Sequence, residues 1–136
     1  MSDSKPTYIY KLISHTTPPP TDLPDVLPIS PLDQSSGFVH LSTAHQVPGT
    51  LKRFFSGDPH VHILRLLYDK VEKDIKWEDP KAEVCGPRGG EGMFPHLYNG
   101  LRLGREEVES VLVVPNGEAG WEEALSEDAV AGWLVY

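Results

Sequence analysis

Six prolines fall in "PPPTDLPDVLPISP", between Pro18 and Pro31. Each lacks an N–H and fixes φ, so this stretch can form neither a helix nor an inner strand. It has to cross the surface as an extended insert. Its own apolar residues, Leu23, Val26, Leu27 and Ile29, are placed to pin it against the body. Any sheet the chain forms must be assembled from strands on either side of this connection.

Before the insert, residues 7–13, "TYIYKLI", are rich in β-branched and aromatic residues and read as a strand. After it, residues 32–36 suit one short helical turn, and residues 38–41 a second strand. Ser42 or Thr43 offers a cap, and Pro48 a helix start at "PGTLKRFF", with Leu51, Phe54 and Phe55 sharing a buried face. Further strands are expected at residues 61–68, 75–78, 94–97 and 108–114. Residues 79–92 read as a loop, and "GWEEALSED" as a short helix before an apolar end, "GWLVY". The expectation is an α+β fold: a small split or mixed sheet of five or six strands with few short helices. With 136 residues it forms one domain, 1–136, with a core over about 8–114, the insert at 18–31 and a tail at 115–136.

Polar residues interrupt two of these strands. In "GFVHLST", Phe38 and His40 point to one face, Val39 and Leu41 to the other, and Ser42 rejoins the first if the strand continues. In "FPHLY", His96 and Tyr98 share a face. Histidine is most often a half-buried ring bonded to backbone, and Tyr98 can be mere packing. Two His-x-hydroxyl stretches at strand ends nevertheless point to one shared cleft, where two imidazoles divide acid and base roles. Thr43 and His45 crowd the same strand end as His40. Glu78, closing "IKWE", is placed to orient a hydroxyl or accept a proton, though a solvated strand-end charge fits it equally. Arg88, in the glycine-rich "GPRGGEG", is in a position to fold over a phosphate, though such arginines are more often simply exposed. The loop lacks the Gly-Lys-Ser/Thr ending of a P-loop.

Other chemistries find less support. His60 and His62, two apart on a strand, lack an evident third ligand, and no His-Glu-x-x-His or paired-cysteine spacing occurs, so no metal site is expected. The lone Cys85 excludes an internal disulfide and fits a reducing compartment. Acidic residues outnumber Lys and Arg by 20 to 12, a formal charge of −8, which argues against nucleic acid as partner. The N-terminus is polar and no apolar run reaches membrane-spanning length, so the expectation is a cytoplasmic protein with no membrane partner.

Taken in order, "IYK", "GFVHLSTAHQVPGTLKRFF", "VHILRL", "KWE" and "FPHLYNGLRL" resemble the domain of unknown function 952 family over about residues 8–114. That family is itself similar to the ADP-ribosyltransferase-like fold, with the tRNA 2'-phosphotransferases nearest. The resemblance implies a split sheet holding NAD in a cleft, NAD being a substrate and no other cofactor being implied. It implies that the first strand presents a histidine or arginine to a ribose. Lys11 stands at that place; it can donate to an oxygen but cannot act as neutral imidazole. The glutamate such transferases use has only Glu78 and Glu109 as substitutes.

The sequence thus sets out catalytic candidates His40, His96 and Glu78, and ligand-binding candidates Lys11, Ser42, Thr43, Tyr98 and Arg88. Three functions follow: an ADP-ribosyltransferase-like transferase acting on NAD or another nucleotide or ADP-ribosyl compound; a non-catalytic module binding a nucleotide or a protein partner; or a two-histidine phosphoesterase. The last expects Ser or Thr where Tyr98 stands.

Overall fold

The computed structural model describes residues 5–118 and 120–136. Among these residues, six strands form two three-stranded sheets. The first has β3 (His60–Leu67) at its centre, flanked by β1 (Tyr8–Ser14) and β6 (Val108–Pro115). In the second, β5 (Phe94–Leu97) lies between β2 (Val39–His40) and β4 (Ile75–Glu78). Every strand pairing is antiparallel, so the sheet is split but not mixed.

One short splice joins the two sheets. Tyr10 N–H donates to the Ser42 carbonyl, and Ser42 N–H to the Tyr10 carbonyl, each at 2.8 Å. This is why β2 stops at His40: after Leu41 the backbone leaves β5 and pairs with β1 instead. Ser42 therefore serves the fold through its main chain.

The central strand β3 packs on both faces, which explains its near-continuous apolar run, while β6 at the edge leaves Val111 and Val113 exposed. Leu64, Leu66 and Ile9 pack toward the second sheet, with Val39, Leu41, Leu97, Trp77 and Tyr68. Val61, Ile63, Tyr10 and Val114 pack the other way, onto α2 (Val47–Phe54) and the C-terminal helices α4 (Trp121–Ser126) and α5 (Asp128–Ala131). The expected tail helix is thus two helices, broken at Glu127, which adopts an extended conformation. The chain end then folds back, with the Tyr10 hydroxyl donating to the Val135 carbonyl at 2.7 Å.

Three local expectations need correction. Tyr68 does not end a strand; it opens α3 (Tyr68–Val71), followed by a 3₁₀ turn (Glu72–Asp74), and its hydroxyl accepts from Trp77 Nε1 at 3.2 Å. α2 has Gln46, not Ser42 or Thr43, before its first residue, with no side-chain cap. Phe54, expected on the buried face, is 72% exposed. A step of three residues from Leu51 rotates about −60° around the helix, while a step of four returns within about 40°, so Phe55 tucks in and Phe54 swings out.

The insert behaves as its prolines require: residues 17–30 form no regular element, and α1 (Pro31–Ser36) follows. Of its apolar residues Leu27 is buried and Leu23 packs on the core, but Val26 and Ile29 are each 39% exposed. Leu27 N–H donates to the Leu103 carbonyl at 2.7 Å, and Arg105 N–H to the Pro24 carbonyl at 3.0 Å. The crossing passes so close to Gly104 that a Cβ there would collide with the backbone of Asp25.

Candidate functional site

His40 and His96 are register partners in the β2–β5 pair, so their side chains stand on the same face. Their rings lie edge to face with centroids 5.2 Å apart. The Phe38 ring packs against both, at 4.5 Å from His40 and 4.3 Å from His96.

Each imidazole is held at Nδ1 by a buried carboxylate. Asp33 sits in the first turn of α1, which Ser30 caps by accepting from Asp33 N–H at 3.2 Å. Asp33 Oδ1 meets His40 Nδ1 at 2.7 Å and accepts from His40 N–H at 3.2 Å. Its Oδ2 accepts from Lys11 Nζ at 2.7 Å. On the other side, Glu78 Oε1 meets His96 Nδ1 at 2.9 Å and accepts from the Tyr98 hydroxyl at 2.6 Å. Cys85 Sγ lies 3.8 Å from Glu78 Oε2, and Lys76 Nζ sits 4.4 Å from the centre of the Tyr98 ring.

The electrostatics fix the protonation pattern. Burial pushes the Asp33 carboxyl up, but bonds from His40 and the Lys11 ammonium outweigh it and hold the group below the usual range. Glu78 is likewise held low: burial is overcome by the Tyr98 and His96 bonds. Burial dominates His96 and lowers its pKa despite Glu78, so the ring is neutral near pH 7. Burial, and then the Glu78 carboxylate, push Tyr98 well above its usual value, so it remains a donor. An ionised carboxylate only accepts, so a proton must sit on each Nδ1. His96, being neutral, then has a bare Nε2, and the Nε2 of His40 is the ring nitrogen left for a ligand. Among the described residues neither Nε2 makes a hydrogen bond within the protein.

Both histidines line a cleft of about 1270 Å³, together with Lys11, Asp33, Ser42 and His45. Glu78 and Tyr98 are not among its lining residues; they stand behind His96. The structure therefore brings together His40, His96, Glu78, Lys11, Ser42 and Tyr98. Two other candidates lie elsewhere. Thr43 is buried in the turn before α2, its N–H donating to Gln46 Oε1 at 3.0 Å. Arg88 Nη1 pairs with Glu72 Oε2 at 2.9 Å and does not line the cleft. Glu109 pairs with Arg65 at 2.8 Å, against Tyr8 and Trp133 on the helix-bearing side of the first sheet. His60 lies near His62 and His15, with ring centroids at 5.4 and 5.7 Å, yet no group of three His, Cys, Asp or Glu among the described residues could hold a metal ion.

The residue that sequence reasoning missed is Asp33. Its signal was Ser30-Pro31-Leu32-Asp33, a cap followed three residues later by an acid at a helix start. That pattern announces α1 but not the seven-residue return of the chain that puts His40 on the same carboxylate.

Two facing carboxylate–imidazole pairs on a small split sheet thus define the site. The chain belongs to the family described as Protein of unknown function (DUF952), whose model matches residues 23–111. It is similar to protein CC0527 from Caulobacter crescentus, at 27% identity over 84% of this chain and 91% of that one, with a TM-score of 0.61 for the crystal structure. The solution structure of the same protein gives a TM-score of 0.57 over 84% of this chain and 90% of that chain. No curated protein matches the chain.

Proposed function

We propose that the cleft is the active site of an enzyme acting at a phosphoryl or ribosyl centre, with His40 and His96 as a general acid–base pair. The observation that carries this reading is the paired clamp: Asp33 and Glu78 each hold an Nδ1, leaving two Nε2 atoms for a ligand. A bare Nε2 accepts a proton from an attacking hydroxyl or water; a protonated one delivers it to a leaving oxygen. His96, buried and neutral, suits the base. His40, more exposed and beside Lys11, suits the acid and the contact to a phosphoryl oxygen. Asp33 and Glu78 are positioning residues, since each acts through its histidine.

The resemblance to ADP-ribosyltransferase-like proteins makes NAD and ADP-ribosyl compounds the first ligands to try. Glu78 weakens the strict transferase form, because Oε1 is shared by His96 and Tyr98 and the group lies behind the ring. That arrangement favours the phosphoesterase form of the same acid–base chemistry, with Tyr98 anchoring Glu78 in place of a hydroxyl facing the ligand. A non-catalytic nucleotide-binding module is the remaining alternative.

The test is a calorimetric titration with NAD, ADP-ribose and a 2',3'-cyclic nucleotide, followed by phosphorus NMR of the mixtures. The reading expects binding at millimolar concentration or better, weakened by His40→Ala, and turnover abolished by either His40→Ala or His96→Ala. Binding without turnover would leave the non-catalytic module, and no binding would reject the site.

A further inference from the structure

Lys11, Asp33, His40, Ser42 and His96 form one polar cluster in the cleft, and His45, Gln46, Thr50 and the exposed Arg53 also line it. Its walls are the proline-rich insert on one side and α2 on the other, with Pro18, Pro28, Ile29, Leu32, Phe54 and Phe55 among the lining residues. Three of these stand exposed although large and apolar: Phe54 at 72%, Leu32 at 61% and Ile29 at 39%. Three such side chains lining one cleft give it exposed apolar surface of the kind that marks a binding site.

Several polar side chains on the walls are already engaged. Gln46 accepts from Thr43 N–H through Oε1 and donates from Nε2 to the Met93 carbonyl at 2.7 Å. The Thr50 hydroxyl donates to the Gln46 carbonyl at 3.1 Å, and the Ser14 hydroxyl to Asp58 at 2.9 Å. These groups have little capacity left to read the edge of a base or the hydroxyls of a second sugar. The volume of about 1270 Å³ also exceeds the roughly 300–1,000 Å³ of ordinary small-molecule pockets, far more than a phosphoryl group beside two rings requires.

We infer that the ligand is amphipathic: a phosphoryl- or ribosyl-bearing head on His40 and His96, joined to an aliphatic or aryl arm lying between the insert and α2. The head rests on the acid–base reading above; the arm rests on the walls alone. The insert suits this task because its prolines hold an apolar wall in place with little conformational entropy left to lose on binding. Each methylene of the arm that leaves water raises affinity by up to about fourfold.

The experiment titrates the full chain with methyl, butyl and hexyl phosphate and with hexanol. It compares the native protein, His40→Ala, and the double variant Leu32→Ser with Phe54→Ser. Both replaced side chains are exposed, so the fold is expected to persist, and a thermal melt checks it. The expected result is affinity at least tenfold higher for hexyl than for methyl phosphate, a difference the double variant flattens. His40→Ala should weaken every phosphate by a similar factor and leave hexanol unchanged. Equal affinity for methyl and hexyl phosphate would overturn the arm and leave the acid–base reading standing. Hexanol binding as tightly as hexyl phosphate, with His40→Ala silent, would overturn the head. No binding of any compound at millimolar concentration would overturn both.

Discussion

His40 and His96 come from strands 56 positions apart in the chain yet face each other as register partners, with ring centroids 5.2 Å apart. Neither ring is held by its own strand. Asp33 reaches His40 from the helix before β2, and Glu78 reaches His96 from the far edge of the second sheet.

Asp33 carries the heaviest structural duty of the site, because it serves Lys11 and His40 at once. Replacement by Asn keeps the shape but leaves Lys11 without its counter-charge. We expect Asp33→Asn to cost about 3 kcal/mol, as for a buried pair broken on one side. Lys11→Met with Asp33→Asn should cost less than the sum of the two single changes. Urea unfolding of the four proteins checks both statements.

Acid should destabilise the fold in two stages. The folded pKa of His96 lies below the ordinary 6.5, so the unfolded chain binds the proton more readily. The stability this gives is present above 6.5 and is lost as pH falls through the lowered folded value. Asp33 and Glu78 also have lowered folded values, from ordinary values of 3.8 and 4.5, so a second loss follows below about 4.5. Thermal midpoints measured from pH 8 to pH 3 should show both slopes. His62 is lowered by burial as well, so His96→Gln should shrink the first slope without abolishing it and keep the Asp33 share of the second.

Phe54, the last residue of α2, and Phe55, which caps it, bracket how much of the fold is legible in the sequence. The apolar spacing of "LKRFF" correctly puts Leu51 and Phe55 inward, but at Phe54 the same spacing misleads, because a three-residue step lands at the margin of the buried face. Leu51→Ala should cost about 2–5 kcal/mol, since that side chain is fully buried. Phe54→Ala should change stability by less than about 0.5 kcal/mol. Calorimetric melts separate the two.

The first strand is readable from the β-branched and aromatic residues of "TYIYKLI". The splice at Ser42 is not, because pairing of Tyr10 with Ser42 uses only backbone atoms and leaves no mark on side-chain pattern. His40, His96 and Glu78 were readable as polar residues in apolar strands. Asp33 was hidden because its partners are set by tertiary return, and Arg88 misled because a glycine-rich loop near a basic residue looks the same whether it meets a ligand or, as here, Glu72.

Gly104 offers a further test. A Cβ there meets the main chain of Asp25, which cannot swing aside as a side chain would. Gly104→Ala should therefore push the insert outward and cost about 1–3 kcal/mol. Faster proteolysis of residues 17–30 at unchanged protease concentration would register the displacement.

The tautomeric state of the two imidazoles, read from long-range proton–nitrogen NMR at pH 7.5, bears most directly on the account. The prediction is that His40 and His96 both carry the proton on Nδ1, the less common form for histidine in water, and that hexyl phosphate moves the Nε2 resonances of both. A ring whose Nδ1 lacks the proton, or a ligand response confined to one of the two, would contradict it.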